Sequence, residues 1–248
     1  MATSETDSHP SLTNRSDLWW KQPLLLLCAG IFAIGYLTWA ALQNTNYEWG
    51  PFISPIYATP WIPSWWPFSP AFILLWIPAG FRATCYYGRK AYYRAGFGDP
   101  ASCAVEEPYR RRYSGETALP FVLNNLHRFF LYLAIGMTIL HWIEFFQSVW
   151  NNGTLYVGIG TLIMLVDTSA LTLYVFSCHS FRHLFGGTRC FGCSKSAVIR
   201  HGIWEKISAI NIFHDRWFWI SLFSIIIADL YIRLLSMGVI PFDPHVNF

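Results

Sequence analysis

The sequence predicts an all-α fold: a polytopic membrane protein built as a bundle of five transmembrane helices, N-terminus cytoplasmic and C-terminus outside. Three observations predict it. Of 248 residues, 54% are hydrophobic and only 12% charged, where a soluble domain carries roughly 25% charged residues. The scarce charges leave runs that match the about 20 apolar residues a helix needs to cross a bilayer. Finally, 14 of the 17 Lys and Arg residues fall in alternate connecting segments, as expected when positive residues are retained on the cytoplasmic side. Low charge with long apolar runs excludes a disordered chain, and the lack of dense basic clusters excludes a nucleic-acid partner.

The first span covers residues 23–42, behind a polar cytoplasmic tail (1–22) that ends in Trp19, Trp20 and Lys21, residues suited to a membrane interface. It begins too late and runs too long for a cleaved signal peptide. Residues 49–81 are free of charge but broken by Pro51, Pro55, Pro60, Pro63 and Pro67. The second span is therefore expected over 70–92, with Ser69 as N-cap, Pro70 in the first turn, and the helix running past Cys85 toward Arg94. The Trp- and Pro-rich loop before it is expected along the membrane surface. A third span over 120–147 carries His127, Arg128, His141 and Glu144, and a fourth over 154–178 holds one charge, Asp167. The fifth, over 216–236 with Asp229 and Arg233, follows a surface helix expected over 202–214 and leaves an outer tail at 238–248.

Orientation follows from the basic residues. The tail has Arg15 and Lys21; the loop after span two has Arg82, Arg89, Lys90, Arg94 and Arg110 to Arg112; the loop after span four has Arg182, Arg189, Lys195, Arg200 and Lys206. The opposite segments, 43–69, 149–153 and 236–248, have none.

That topology puts Cys85, Cys103, Cys178, Cys190 and Cys193 on the cytoplasmic side, with Cys28 near the same end of span one. A reducing compartment disfavours disulfides. The thiols, beside His127, His179, His183 and His214, form a candidate metal-ligand set. In Cys178-His-Ser-Phe-Arg-His183 the two histidines are four apart and share one helix face, and in a continuous helix Cys178 lies about 100° from His179. Cys85, Cys178, His179 and His183 are the leading ligand candidates, then Cys103 and His127. Two cysteines and two histidines around two irons make a Rieske-type (2Fe-2S) pattern. The competing reading treats these cysteines as small packed residues and these histidines as interfacial hydrogen-bonding groups. Cys190-Phe-Gly-Cys193 has a zinc or iron spacing but no second pair. A haem b clamped by His127 and His214 is the alternative cofactor.

Phe81-Arg-Ala-Thr-Cys-Tyr-Tyr-Gly-Arg-Lys-Ala-Tyr-Tyr-Arg94, Asn125-Leu-His127-Arg, Ser177-Cys-His-Ser-Phe-Arg-His-Leu-Phe-Gly-Gly187 and Ile220-Ser-Leu-Phe-Ser together resemble one family. They are similar to the membrane-anchor subunits of the unusual succinate dehydrogenases of actinobacteria and some other bacteria. The resemblance covers most of residues 70–236, while Gly88 and the Cys190/Cys193 pair depart from it. It implies a five-helix anchor in the plasma membrane that holds a flavoprotein with FAD and an iron–sulfur protein with further Fe–S clusters on its cytoplasmic face, and it admits a small extra membrane subunit as a further partner. It also implies an embedded Rieske-type cluster and electron delivery to menaquinone, with no succinate chemistry on the chain itself. Tyr86, Tyr87, Arg89, His127, Arg128 and Trp217 are the candidate quinone-lining residues, set against plain interfacial anchoring. His141, Glu144, Asp167 and Asp229, ionisable groups inside spans, mark either a proton path or outer quinone pocket, or an interhelical hydrogen-bond network. A haem-bearing fumarate reductase or cytochrome b anchor is the nearer rival. A transporter is the remote one, since no inverted repeat is visible.

Overall fold

A computed structural model describes residues 18, 20–57, 65–97, 119, 121–151, 153–186, 190 and 192–247. Cys103, Arg15, Arg110 to Arg112, Arg189, Pro60, Pro63 and Pro120 lie outside the described residues.

Among the described residues, hydropathy is realised in four helices long and apolar enough to cross a membrane: α1 (Lys21–Gln43), α4 (His127–Val149) with the 3-10 turn Phe121–Leu126 before it, α5 (Ile159–Phe176) and α8 (His214–Ser236). At 1.5 Å per residue the 23-residue helices are about 34 Å long, enough for the roughly 30 Å hydrocarbon layer. Leu24, Leu25, Ile31 and Ile34 of α1 stand exposed, an apolar surface suited to lipid.

The expected second span is divided. α2 (Ala71–Thr84) has 14 residues, α3 (Tyr86–Phe97) has 12, and between them Cys85 takes an extended backbone (φ −62°, ψ 133°). The reason is local. The Cys85 carbonyl accepts the Arg89 amide at 2.8 Å, so it starts a new helix instead of continuing the old one. Gly88 then passes so close to α2 that a β-carbon there would lie 2.5 Å from the Arg82 carbonyl oxygen, which accounts for glycine at this position.

The expected fourth span also breaks at both ends. Thr154-Leu-Tyr-Val-Gly158 alternates in burial and is rich in β-branched and aromatic residues, so it forms a strand, β4. It pairs antiparallel with β3 (Trp150–Asn151) and with β5 (His245–Asn247), which brings the expected tail back onto the bundle. At the far end α5 stops at Phe176, and α6 (His179–Gly186) starts after Cys178. The surface helix, α7, runs Lys195–Asn211, earlier than expected, because Ser194 caps it by accepting the Ala197 amide at 3.2 Å.

The loop after α1 is not merely superficial. Its hairpin, β1 (Glu48–Trp49) with β2 (Phe52–Ile53), buries Phe52 and Ile56 in the bundle. Helices α8 and α4 flank α5, α2 lies along α4, and α1 lies beside α3.

At the hairpin end the buried charges are paired. Asp229 accepts from Tyr36 Oη at 2.7 Å and Ser54 Oγ at 2.5 Å, and it bridges Arg233 one turn on. Arg233 also donates to the Thr45 carbonyl and lies over the Trp39 and Tyr47 rings. Asp243, fully buried, accepts the Gly160 amide at 2.9 Å and the Tyr156 and Tyr231 hydroxyls, and so caps α5 from the tail. Burial and that carboxylate push the Tyr156 phenol upward. Gly158 admits the cap, since a β-carbon there would meet the Asp243 carboxylate.

Candidate functional site

Two helix breaks build the site. Cys85 and Cys178 each occupy the N-cap position of a short helix, α3 and α6, and their carbonyls accept the Arg89 and Arg182 amides. The backbone N–H groups of Tyr87 and Gly88 approach the Cys85 sulfur, and those of Ser180 and Phe181 approach the Cys178 sulfur. Both sulfurs therefore sit at the positive end of a helix. Cys178 is not in a helix with His179, which corrects the 100° relation expected from the sequence.

Each thiol faces an imidazole from a different helix start. His127, first residue of α4, places Nε2 3.0 Å from Cys178 Sγ; His214, first residue of α8, places Nε2 3.4 Å from Cys85 Sγ. The opposite ring nitrogens are held by hydroxyls: His127 Nδ1 is 3.1 Å from Thr84 Oγ1, and His214 Nδ1 is 2.8 Å from Ser177 Oγ. Hydroxyl hydrogens are already committed, Thr84 to the Gly80 carbonyl (2.7 Å) and Ser177 to the Tyr174 carbonyl (3.1 Å). Each hydroxyl therefore accepts from Nδ1–H, which leaves the Nε2 lone pair aimed at sulfur. This is the tautomer a metal-ligating histidine needs.

The pattern is crossed. Thr84 precedes Cys85 but holds the histidine that faces Cys178, and Ser177 precedes Cys178 but holds the histidine that faces Cys85. The rings are clamped alike, His127 stacked on Phe81 at 4.6 Å and His214 on Tyr174 at 5.1 Å, with Phe81 edge-on to Tyr174. Both thiols and both imidazoles are buried, and the two thiols interact electrostatically with each other, as do the two imidazoles. Arg82 holds a guanidinium 4.5 Å above the Tyr174 ring while donating to the Phe218 carbonyl and Ser221 Oγ. A fixed positive charge thus borders the thiols.

Other sequence candidates lie apart. His179 and His183 are exposed on α6, and Cys28 is exposed on α1. Cys190 and Cys193 form a disulfide, their Cα atoms 5.7 Å apart and so within bridging range; this corrects the expectation of free thiols. Tyr86 is exposed beneath the buried Arg89 guanidinium, Arg128 is exposed, and Tyr87 Oη accepts from Trp219 Nε1 at 3.0 Å. Trp217 Nε1 is buried without a partner among the described residues. Among the described residues no three His, Cys, Asp or Glu side chains gather around a single ion position; the sulfur and nitrogen donors come as two facing pairs. Sequence reasoning named His214 in the wider metal-ligand set and in the haem alternative but not among the leading ligands, and it missed Thr84 and Ser177. The available signal was a hydroxyl residue followed by Cys, repeated at two helix ends.

Comparisons with known proteins agree with this architecture. The family model described as actinobacterial succinate dehydrogenase subunit SdhC matches residues 21–238. A search of curated proteins found no match. Among solved structures, a chain of the Mycobacterium smegmatis Sdh1 complex in the apo form is similar, with 31% identity and a TM-score of 0.83 over 98% of this chain and 97% of that one. The chain therefore belongs to the SdhC family of actinobacterial succinate dehydrogenases, as a membrane subunit of that complex and a multi-pass protein of the bacterial plasma membrane.

Proposed function

We propose that this subunit anchors the flavoprotein and iron–sulfur subunits to the membrane and relays their electrons to menaquinone through a Rieske-type cluster held by Cys85, Cys178, His127 and His214. The carrying observation is the crossed pair of hydroxyl–imidazole–thiol chains, two soft sulfur donors and two neutral nitrogens whose lone pairs face them. A bound cluster would supply one-electron transfer at a raised potential. The chain's own part is to fix both imidazole tautomers through Thr84 and Ser177, to hold the sulfurs at helix N-termini, and to set Arg82 against them. Tyr86, Tyr87, Arg89 and Trp217 border the same end and would hold a quinone ring, with the unpaired Trp217 Nε1 as a donor. Counting α2 and α3 as one bent crossing gives five spans, which the alternation of basic loops orients with the N-terminus and thiol site inside and residues 238–248 outside.

A haem b would employ the same two histidines. The sulfur opposite each Nε2 favours the cluster, and the two readings separate spectroscopically. In the purified complex, His127→Ala and His214→Ala should each abolish a low-g-average EPR signal and quinone reduction, while succinate oxidation with an artificial acceptor persists. His179→Ala and His183→Ala should leave all three intact. A Soret and α band in the reduced-minus-oxidised spectrum, without that EPR signal, would sink the cluster reading.

A further inference from the structure

A cavity of about 40 Å³ lies between α2, α4, α5 and α8, larger than the roughly 10–15 Å³ that one water requires. Arg82 and Tyr174 line it toward the thiol–imidazole site, Thr138 and His141 toward the middle of the bundle. His141 lies 14 residues beyond His127 on α4, about 21 Å deeper along the helix.

His141 lines the deep end, and two carboxyl groups neighbour its ring. His141, buried, has Nδ1 3.1 Å from Glu144 Oε2, and the Glu144 side chain is 18% exposed. Asp167 is 1% exposed; one carboxyl oxygen accepts from Ser224 Oγ at 2.6 Å and the other has no partner among the described residues. The neighbouring Thr168 hydroxyl also lacks one. Asp167 interacts electrostatically with both His141 and Arg82. A carboxyl with an unused oxygen inside a bundle is costly unless water or a proton satisfies it.

We propose that Glu144, His141 and Asp167, with water in this cavity, form a proton relay leading from the aqueous surface at the hairpin end of α4 toward the thiol–imidazole end. The relay rests on the quinone-linked reading above: a quinone that takes two electrons from succinate must also take two protons to become a quinol. A proton arriving from Glu144 enters His141 at Nδ1, and one leaves Nε2 into the cavity water. Asp167 holds the compensating negative charge while the ring is doubly protonated, and Arg82 marks the far end.

The test uses the whole complex reconstituted in phospholipid vesicles, with a short-chain naphthoquinone as acceptor. Asp167→Asn and Glu144→Gln should slow succinate-driven quinone reduction, by on the order of a hundred-fold for loss of a proton-transfer group. Both should raise its solvent deuterium isotope effect while leaving the EPR signal and artificial-acceptor activity unchanged. Wild-type quinone reduction in both variants would overturn the relay. If Asp167→Asn fails to assemble, Glu144→Gln decides alone, because its site is partly exposed: an unslowed rate overturns the relay and a slowed one supports it. Failure of the cluster reading is seen separately, as absence of the EPR signal from the unsubstituted complex.

Discussion

The two ends of the bundle treat buried polarity in opposite ways. At the hairpin end the polar atoms are charged and saturated: Asp229 takes two hydroxyls and an arginine, and Asp243 takes an amide and two phenols. At the thiol end the facing groups are neutral, bordered by the Arg82 guanidinium, and each imidazole Nε2 is hydrogen-bonded to a sulfur. Donors and acceptors that consume one another describe architecture. Imidazoles turned toward sulfurs by hydroxyls already committed are, on the function proposed above, a place for a third party.

That contrast can be broken from either side. The largest effect is expected at the hairpin end: Asp229→Ala leaves Arg233 buried and uncompensated, at about 3–5 kcal/mol, visible as a large fall in the detergent-solubilised melting temperature and poor assembly. Next come Thr84→Val and Ser177→Ala, which release a ring tautomer without removing a ligand. Each should weaken cluster retention about 10–100-fold, read as lost EPR intensity under a chelator challenge, with the melting temperature of the cluster-free protein almost unchanged. The smallest change is Asp243→Asn, which keeps an acceptor for Gly160 but not the charge; about 1 kcal/mol of stability should be lost, with EPR intensity unaffected. A Thr84→Val variant that melted early yet kept its cluster would erase the distinction between the two ends.

The membrane helices were legible because lipid imposes one dominant requirement, an unbroken apolar length, and α1, α4, α5 and α8 satisfy it. The breaks were not, since cysteine carries no strong backbone preference and nothing local says that Cys85 or Cys178 will cap a new helix. Strand β4 was hidden for a related reason: it abuts an apolar helix and its partner β5 lies at residues 245–247. At the site, local spacing favoured His179 and His183. The histidines that meet the thiols are 51 and 129 residues away from them in sequence, and no periodicity links such positions. Thr84 before Cys85 and Ser177 before Cys178 were visible as a repeated pair, but only the crossed geometry explains why the hydroxyls are there.

The cap that Asp243 places on α5 has a consequence in time. It is synthesised 83 positions after the Gly160 amide it receives, a delay of about 4–17 s at roughly 5–20 residues per second. Throughout that interval the Gly160 amide has no Asp243 carboxylate to donate to. The cap on α5 therefore cannot close until residues beyond α8 have been made.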